Sequence, residues 1–228
     1  GGGGVKRLGY GVNDSQLGGP FVGDDTVVFR TEVEERHYWK VETKNLYTGK
    51  GWEASREADR LDFTGESIPL GDRSTLPVTP DQVRMSKVVN VKEYNHIQYP
   101  HGVSEIITGE DFEYRLNTVT EKILSYLDDE TATPKEYSVK YQQNVYHLEK
   151  LREGRAERDD YFQSNMEMRS YKALPENLPP EIEELAKEIT AEADNWYDKA
   201  KAVESYFGTA GFIYDQVNVE VPDENEDY

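Results

Sequence analysis

"DFEYRLNTVTEKIL", residues 111–124, sets Phe112, Tyr114 and Leu116 on one side of an extended chain and Glu113 and Arg115 on the other. Successive side chains of a strand point to opposite faces, so a period of two predicts a strand with one face in a core. The same signature recurs on either side. Downstream, "KEYSVKYQ" (135–142) places Tyr137, Val139 and Tyr141 at alternate positions. Upstream, "QVRMSKVVNV" (82–91) does so with Val83, Met85, Val89 and Val91, and "TVVFRTEV" (26–33) is rich in β-branched residues. "HYWKVETKNLYTGKGW" (37–52) sets Trp39, Val41 and Thr43 against Tyr38, Lys40 and Glu42, and then offers Gly49 and Gly51 for a turn with positive φ. Short strands separated by turns predict an antiparallel β-sandwich or open barrel over residues 20–145. Trp39, Val41, Val89, Phe112, Leu116 and Val139 are its expected buried residues.

The flanks read differently. Residues 1–20 are glycine-rich and read as an arm, and residues 53–80, with Pro69, Pro77 and Pro80, read as a long connection with at most a short strand. Residues 146–173 are polar and predict a helical connection whose charges are a solvated face. In residues 174–228, Pro179 and Pro180 suit the first turn of a helix, where their missing N–H groups cost nothing. Ile182, Leu185, Ala186 and Ile189 form its apolar stripe. Asp194 or Asn195 caps a second helix with the face Trp196, Ala200, Val203 and Phe207, which Gly208 ends. "GFIYDQV" (211–217) reads as a following strand. The predicted class is α+β.

Composition limits the functions available. With 36% hydrophobic residues and 16 tyrosines in 228 residues, the chain has enough apolar surface to build a core. A net charge of -19 argues against a nucleic-acid partner and disfavours an anionic lipid surface. Cysteine is absent, which removes disulfides, thiolate metal sites and any Cys nucleophile from this chain. No apolar run approaches a bilayer span and no signal peptide is visible.

The candidate chemical groups each have a plainer reading. His96 and His101 flank a Tyr-Pro turn, yet their spacing, like that of His37 and His147, matches no metal motif, and ordinary turn histidines are favoured. "GVNDSQLGGPFVGDD" (11–25) has the oxygen-rich look of a calcium loop but lacks alternating carboxylates, so a turn-rich arm is favoured. Asp24–Asp25 and Asp128–Asp129–Glu130 are carboxylate clusters of the kind a glycosidase poises across a cleft, but 45 acids make such clusters common by chance. Tyr38, Trp39, Tyr47 and Trp52 are candidates for a platform that binds sugar or peptide. No serine elbow or phosphate-cradling loop is present. The sequence therefore predicts no catalytic residue, no cofactor and no metal.

Two stretches carry a family resemblance: "YGVNDSQLGGPFVGDDTVVFRTEVEERHYWKVETKNLYTGKGW" (10–52) and "YKALPENLPPEIEELAKEITAEADNWYDKAKAVESYFGTAGFIYD" (171–215). In this order and spacing they resemble the extracytoplasmic region of bacterial membrane-anchored transglutaminase-like proteins. The resemblance implies a β domain carrying the LGGPF–Asp–Asp and YTGxGW signatures, followed by the entry to a papain-like transglutaminase core. It also implies membrane helices before this region, and a catalytic Cys, then His and Asp, after it. On this expectation the chain is a non-catalytic excerpt. Its helical segment is the front of a core whose active half would follow, and its partners are the remainder of that core or, through residues 178–215, a second copy of the chain. The competing expectation is a cell-surface module that binds wall glycan or peptide. A hydrolase working with carboxylates alone is the weakest of the three.

Overall fold

The structure, a computed structural model, describes residues 6–8, 14–70, 78–153, 169–221 and 223. Parts of the expected arm, the Pro77 region and most of the polar connection lie outside these residues. Along the chain run β1 (Lys6–Leu8), β2 (Phe21–Gly23), β3 (Phe29–Thr31), β4 (Trp39–Lys40), β5 (Leu46–Tyr47) and β6 (Trp52–Glu53). There follow β7 (Arg60–Phe63), β8 (Val78–Asn90), β9 (Tyr99–Pro100), β10 (Val103–Ile107) and β11 (Glu113–Asn117). The last strands are β12 (Ile123–Leu127), β13 (Glu130–Thr131) and β14 (Glu136–Tyr146), and the helices are α1 (Leu148–Glu153), α2 (Pro180–Ile189) and α3 (Trp196–Thr209). The protein is α+β, and apart from the parallel pair β1–β2 its strand pairs are antiparallel among the described residues.

The chain forms two compact units, both discontinuous in sequence. One, the β unit, comprises Thr26–Lys44 and Ala54–Tyr146; the other, the terminal unit, comprises Gly1–Asp25, Asn45–Glu53 and His147–Tyr228.

In the β unit, two four-stranded sheets, β10-β14-β8-β3 and β13-β12-β11-β7, contribute to one core. The period-two segments explain most of it. Phe112, Tyr114 and Leu116 are buried, as are Tyr137, Val139 and Tyr141. β8 corrects the sequence expectation. Val83, Met85, Val89 and Val91 are exposed, and Ser86 and Val88 are buried in their place. The register with β14 is the cause: Val88 lies opposite Tyr137 and Ser86 opposite Val139, and residues directly opposite share a face. A small Ser86 leaves room for the large rings of β14, and its hydroxyl lies 3.1 Å from that of Tyr141. Trp39 and Val41, also expected to be buried, are half-buried, because β4 is only a two-residue strand. Trp39 meets Phe29 edge-on at 5.6 Å. Tyr137 stitches the core internally: its hydroxyl accepts the Gln98 N–H at 3.0 Å and lies 2.7 Å from Gln98 Oε1.

In the terminal unit the "YTGKGW" turn joins β5 to β6 (Thr48 N–H to Gly51 O, 3.0 Å), with Gly49 at φ 80°. Gly51 is needed for another reason than positive φ. A Cβ there would sit 2.2 Å from Asp14 O, because Trp52 N–H donates to that carbonyl at 2.7 Å and holds the arm against the hairpin. Proline opens α2 as expected, at its first position, and Glu183 pairs with Lys187 one turn on. At α3 the cap is Asn195: its side chain accepts Asp198 N–H at 2.9 Å and donates to Asp198 Oδ2 at 2.7 Å. Replacing Asn195 by alanine is expected to destabilise α3 by about 0.5–2 kcal/mol, read as lost helical ellipticity on heating. An unchanged melting profile would show that packing alone holds the helix.

Two expectations fail beyond α3. Gly208 lies inside the helix, and the left-handed residue is Gly211, at φ 83°. "GFIYDQV" is not a strand. Asp215 Oδ1 accepts the N–H groups of Val217 (2.8 Å) and Asn218 (3.0 Å), so local side-chain bonds take the donors that a ladder would use. The apolar faces of α2 and α3 remain open: Leu185, Trp196 and Phe207 are 39, 42 and 56% exposed. Phe207 is partly covered by Tyr206 and Phe212, at 5.6 and 5.1 Å.

Candidate functional site

The short pairing of β4 with β9, Trp39 opposite Pro100, sets the segment around His37 beside the Tyr99–His101 turn. The end of β14 completes a groove of about 310 Å³ lined by Arg36, His37, Tyr38, Pro100, His101, Tyr141, Gln143 and Tyr146. All of these residues belong to the β unit. Pro100 and Tyr141 are buried and His37 is half-buried, whereas Arg36, His101 and Tyr146 are exposed. Tyr38 stands out at 97% exposed.

A chain of hydrogen bonds runs under this groove. His37 Nδ1 lies 3.2 Å from the carbonyl of Tyr38, which only accepts, so Nδ1 carries a proton. In the neutral ring, Nε2 then accepts from the Tyr141 hydroxyl at 3.2 Å, and Ser86 donates to Tyr141 at 3.1 Å. The His37 ring is also held between Trp39 and Tyr141, at centroid distances of 5.2 and 5.1 Å. The arrangement ties the backbone at Tyr38 to β14 and β8.

The histidines considered as a metal pair have separate roles. His101 faces the groove, whereas His96 is buried, forms a bridge with Leu124 and packs on Tyr94 at 5.0 Å. Burial, reinforced by the Lys122 charge, lowers its pKa to about 4. Among the described residues no group of three or more His, Cys, Asp or Glu could hold a metal ion. In the stretch read as a calcium loop, the carbonyl of Asp14 is taken by Trp52 N–H.

Asp128 and Asp129 have φ of 51° and 65° and connect β12 to β13. Two consecutive left-handed residues make the two-residue hairpin turn that acidic side chains tolerate, which accounts for the acids there without catalysis. A second recess of about 500 Å³ is rimmed by Glu66, Glu105, Glu110, Asp111 and Glu113. The four aromatics considered as one platform divide between the units. Tyr38 and Trp39 belong to the β unit, and Tyr47 and Trp52, 5.3 Å apart, to the terminal unit. Sequence reasoning did not group Arg36, His37, Gln143 and Tyr146; the run "ERHY" at 35–38 was the available signal.

Over 99% of its length the chain aligns, at 36% identity across 236 residues, with "Uncharacterized protein YebA" of Bacillus subtilis (strain 168), and it spans 30% of that protein. No family model matches the chain. No solved structure matches it.

Proposed function

We propose that the chain is a non-catalytic, extracytoplasmic part of a bacterial membrane-anchored transglutaminase-like protein, with the β unit as an accessory domain that positions the catalytic core. The observation that carries this reading is the open pair α2 and α3. Both helices fall within residues 171–215, the stretch whose resemblance implies the entry to a papain-like core, and they leave Leu185, Trp196 and Phe207 accessible. Burying one such side chain is worth about 1.5–3 kcal/mol, so these faces favour a partner surface. In this reading the surface is the helix that carries the catalytic Cys, and a second copy of the chain is the substitute when that helix is missing. The alignment with a protein of which this chain spans 30% fits a parent with further segments. Among the described residues no helix is long and apolar enough to cross a membrane, and in this reading other segments of the parent supply the anchor.

The chemistry assigned to the parent is acyl transfer or peptide hydrolysis through a thiolate activated by an imidazole, with an acid orienting that imidazole. This chain has no Cys, so in this reading the thiolate comes from the rest of the parent. The test compares the chain alone with the chain joined to the polypeptide that follows it in its gene, using a glutamine donor and an amine acceptor. The chain alone should incorporate no amine. The joined protein should do so, and replacing its Cys with alanine should abolish the reaction. Turnover by the chain alone, or a following polypeptide without Cys, His and Asp in that order, would overturn the reading.

A further inference from the structure

The groove is lined wholly by residues of the β unit. We propose that it binds a saccharide bearing a carboxylate, with a pyranose ring stacked on Tyr38 and the carboxylate paired with Arg36. The first support is the placement of Tyr38. Its neighbours His37 and Trp39 are half-buried, whereas its ring is left almost wholly to solvent at 97% exposure beside a concave surface. A flat aromatic face with a polar tip suits the C–H face of a sugar ring, whose hydroxyls point outward toward donors and acceptors.

The second support is preorganisation. The bonds from Ser86 through Tyr141 and His37 to the Tyr38 carbonyl hold the segment in place before a ligand arrives, which cuts the ordering cost of binding.

Charge supplies the third. The chain carries a net charge of -19, yet this groove presents a guanidinium, that of the exposed Arg36. Of the two acids that precede Arg36, Glu34 pairs with Arg84, while Glu35 accepts from the groove-lining Gln143 at 3.0 Å and keeps its charge at the rim. Arg36 has no ion-pair partner among the described residues. A guanidinium fork matches the two oxygens of a carboxylate. At about 310 Å³ the groove lies at the small end of small-molecule clefts, a size that suits one or two sugar rings.

Isothermal titration calorimetry on the intact chain tests this without reference to enzymatic activity, so its outcome is separable from that of the transglutaminase-like reading. The carboxylated probes are tetragalacturonate and sialyllactose, the neutral control is maltotetraose, and a proline-rich decapeptide represents a peptide ligand. At least one carboxylated probe should bind more tightly than maltotetraose. Tyr38→Ala, at an exposed site that leaves the fold intact, should weaken that binding about tenfold or more. Arg36→Gln should remove the preference for the charged sugar. The proposal is overturned by no binding of either carboxylated probe, by equal binding of the Tyr38→Ala protein, or by unchanged charge preference in Arg36→Gln. Binding of the decapeptide in place of the sugars would also overturn it.

Discussion

Replacing Leu116 by alanine is expected to lower the unfolding free energy of the β unit by about 2–5 kcal/mol. Leu116 lies on β11, opposite Ile123 of β12, and is 2% exposed, with Ile123 fully buried beside it. Truncation removes buried hydrocarbon and leaves a space that two hydrogen-bonded strands cannot collapse to fill. Domains of this kind are stable by roughly 5–15 kcal/mol, so the loss is a large fraction of the total. Urea denaturation followed by far-ultraviolet circular dichroism measures it. Met85→Ser is the matched control, because Met85 is 62% exposed on the outer face of β8 and its replacement should change stability by no more than about 0.5 kcal/mol. If Met85→Ser proved the more damaging of the two, the assignment of inner and outer faces would be reversed.

The second large effect depends on pH. His96 has its pKa lowered from 6.5 to about 4, by burial first and the Lys122 charge second. Between those values the unfolded chain takes up a proton that the folded chain refuses, so this histidine favours the unfolded state increasingly as the solution is acidified. Its contribution is fully present above about pH 6.5, declines as the pH falls toward 4 and changes no further below that. The loss amounts to about 3 kcal/mol over the whole window, from 1.36 kcal/mol per pKa unit. His96→Gln removes the titrating group, so its unfolding midpoint should fall less between pH 7 and pH 4.5 than that of the parent. Carboxylates contribute an acid dependence common to both proteins, and the comparison cancels it. Parallel pH profiles would assign the acid sensitivity to other groups.

Sequence alone determined which strands of the core were unambiguous. In residues 112–116 and 137–141 every large apolar side chain falls on one face, so no other face was available to bury. Helix ends were legible where a side chain could satisfy the backbone within a few residues, as at Pro180 and Asn195. The inner face of β8 was not legible, because valines occur on both of its faces and the choice belongs to its register with β14. The fate of residues 211–217 was also hidden. A run that looks extended becomes a strand only if another strand pairs with it, and Asp215 bonds to its own neighbours instead. The groove was legible only in pieces. Tyr38 appeared in the sequence only as one of four candidate platform aromatics and His101 only beside His96, while residues 36–38, 100–101 and 141–146 are far apart along the chain. Tertiary structure alone brings them together, through the pairing of β4 with β9 and the end of β14, because a concave surface is a property of elements meeting in space.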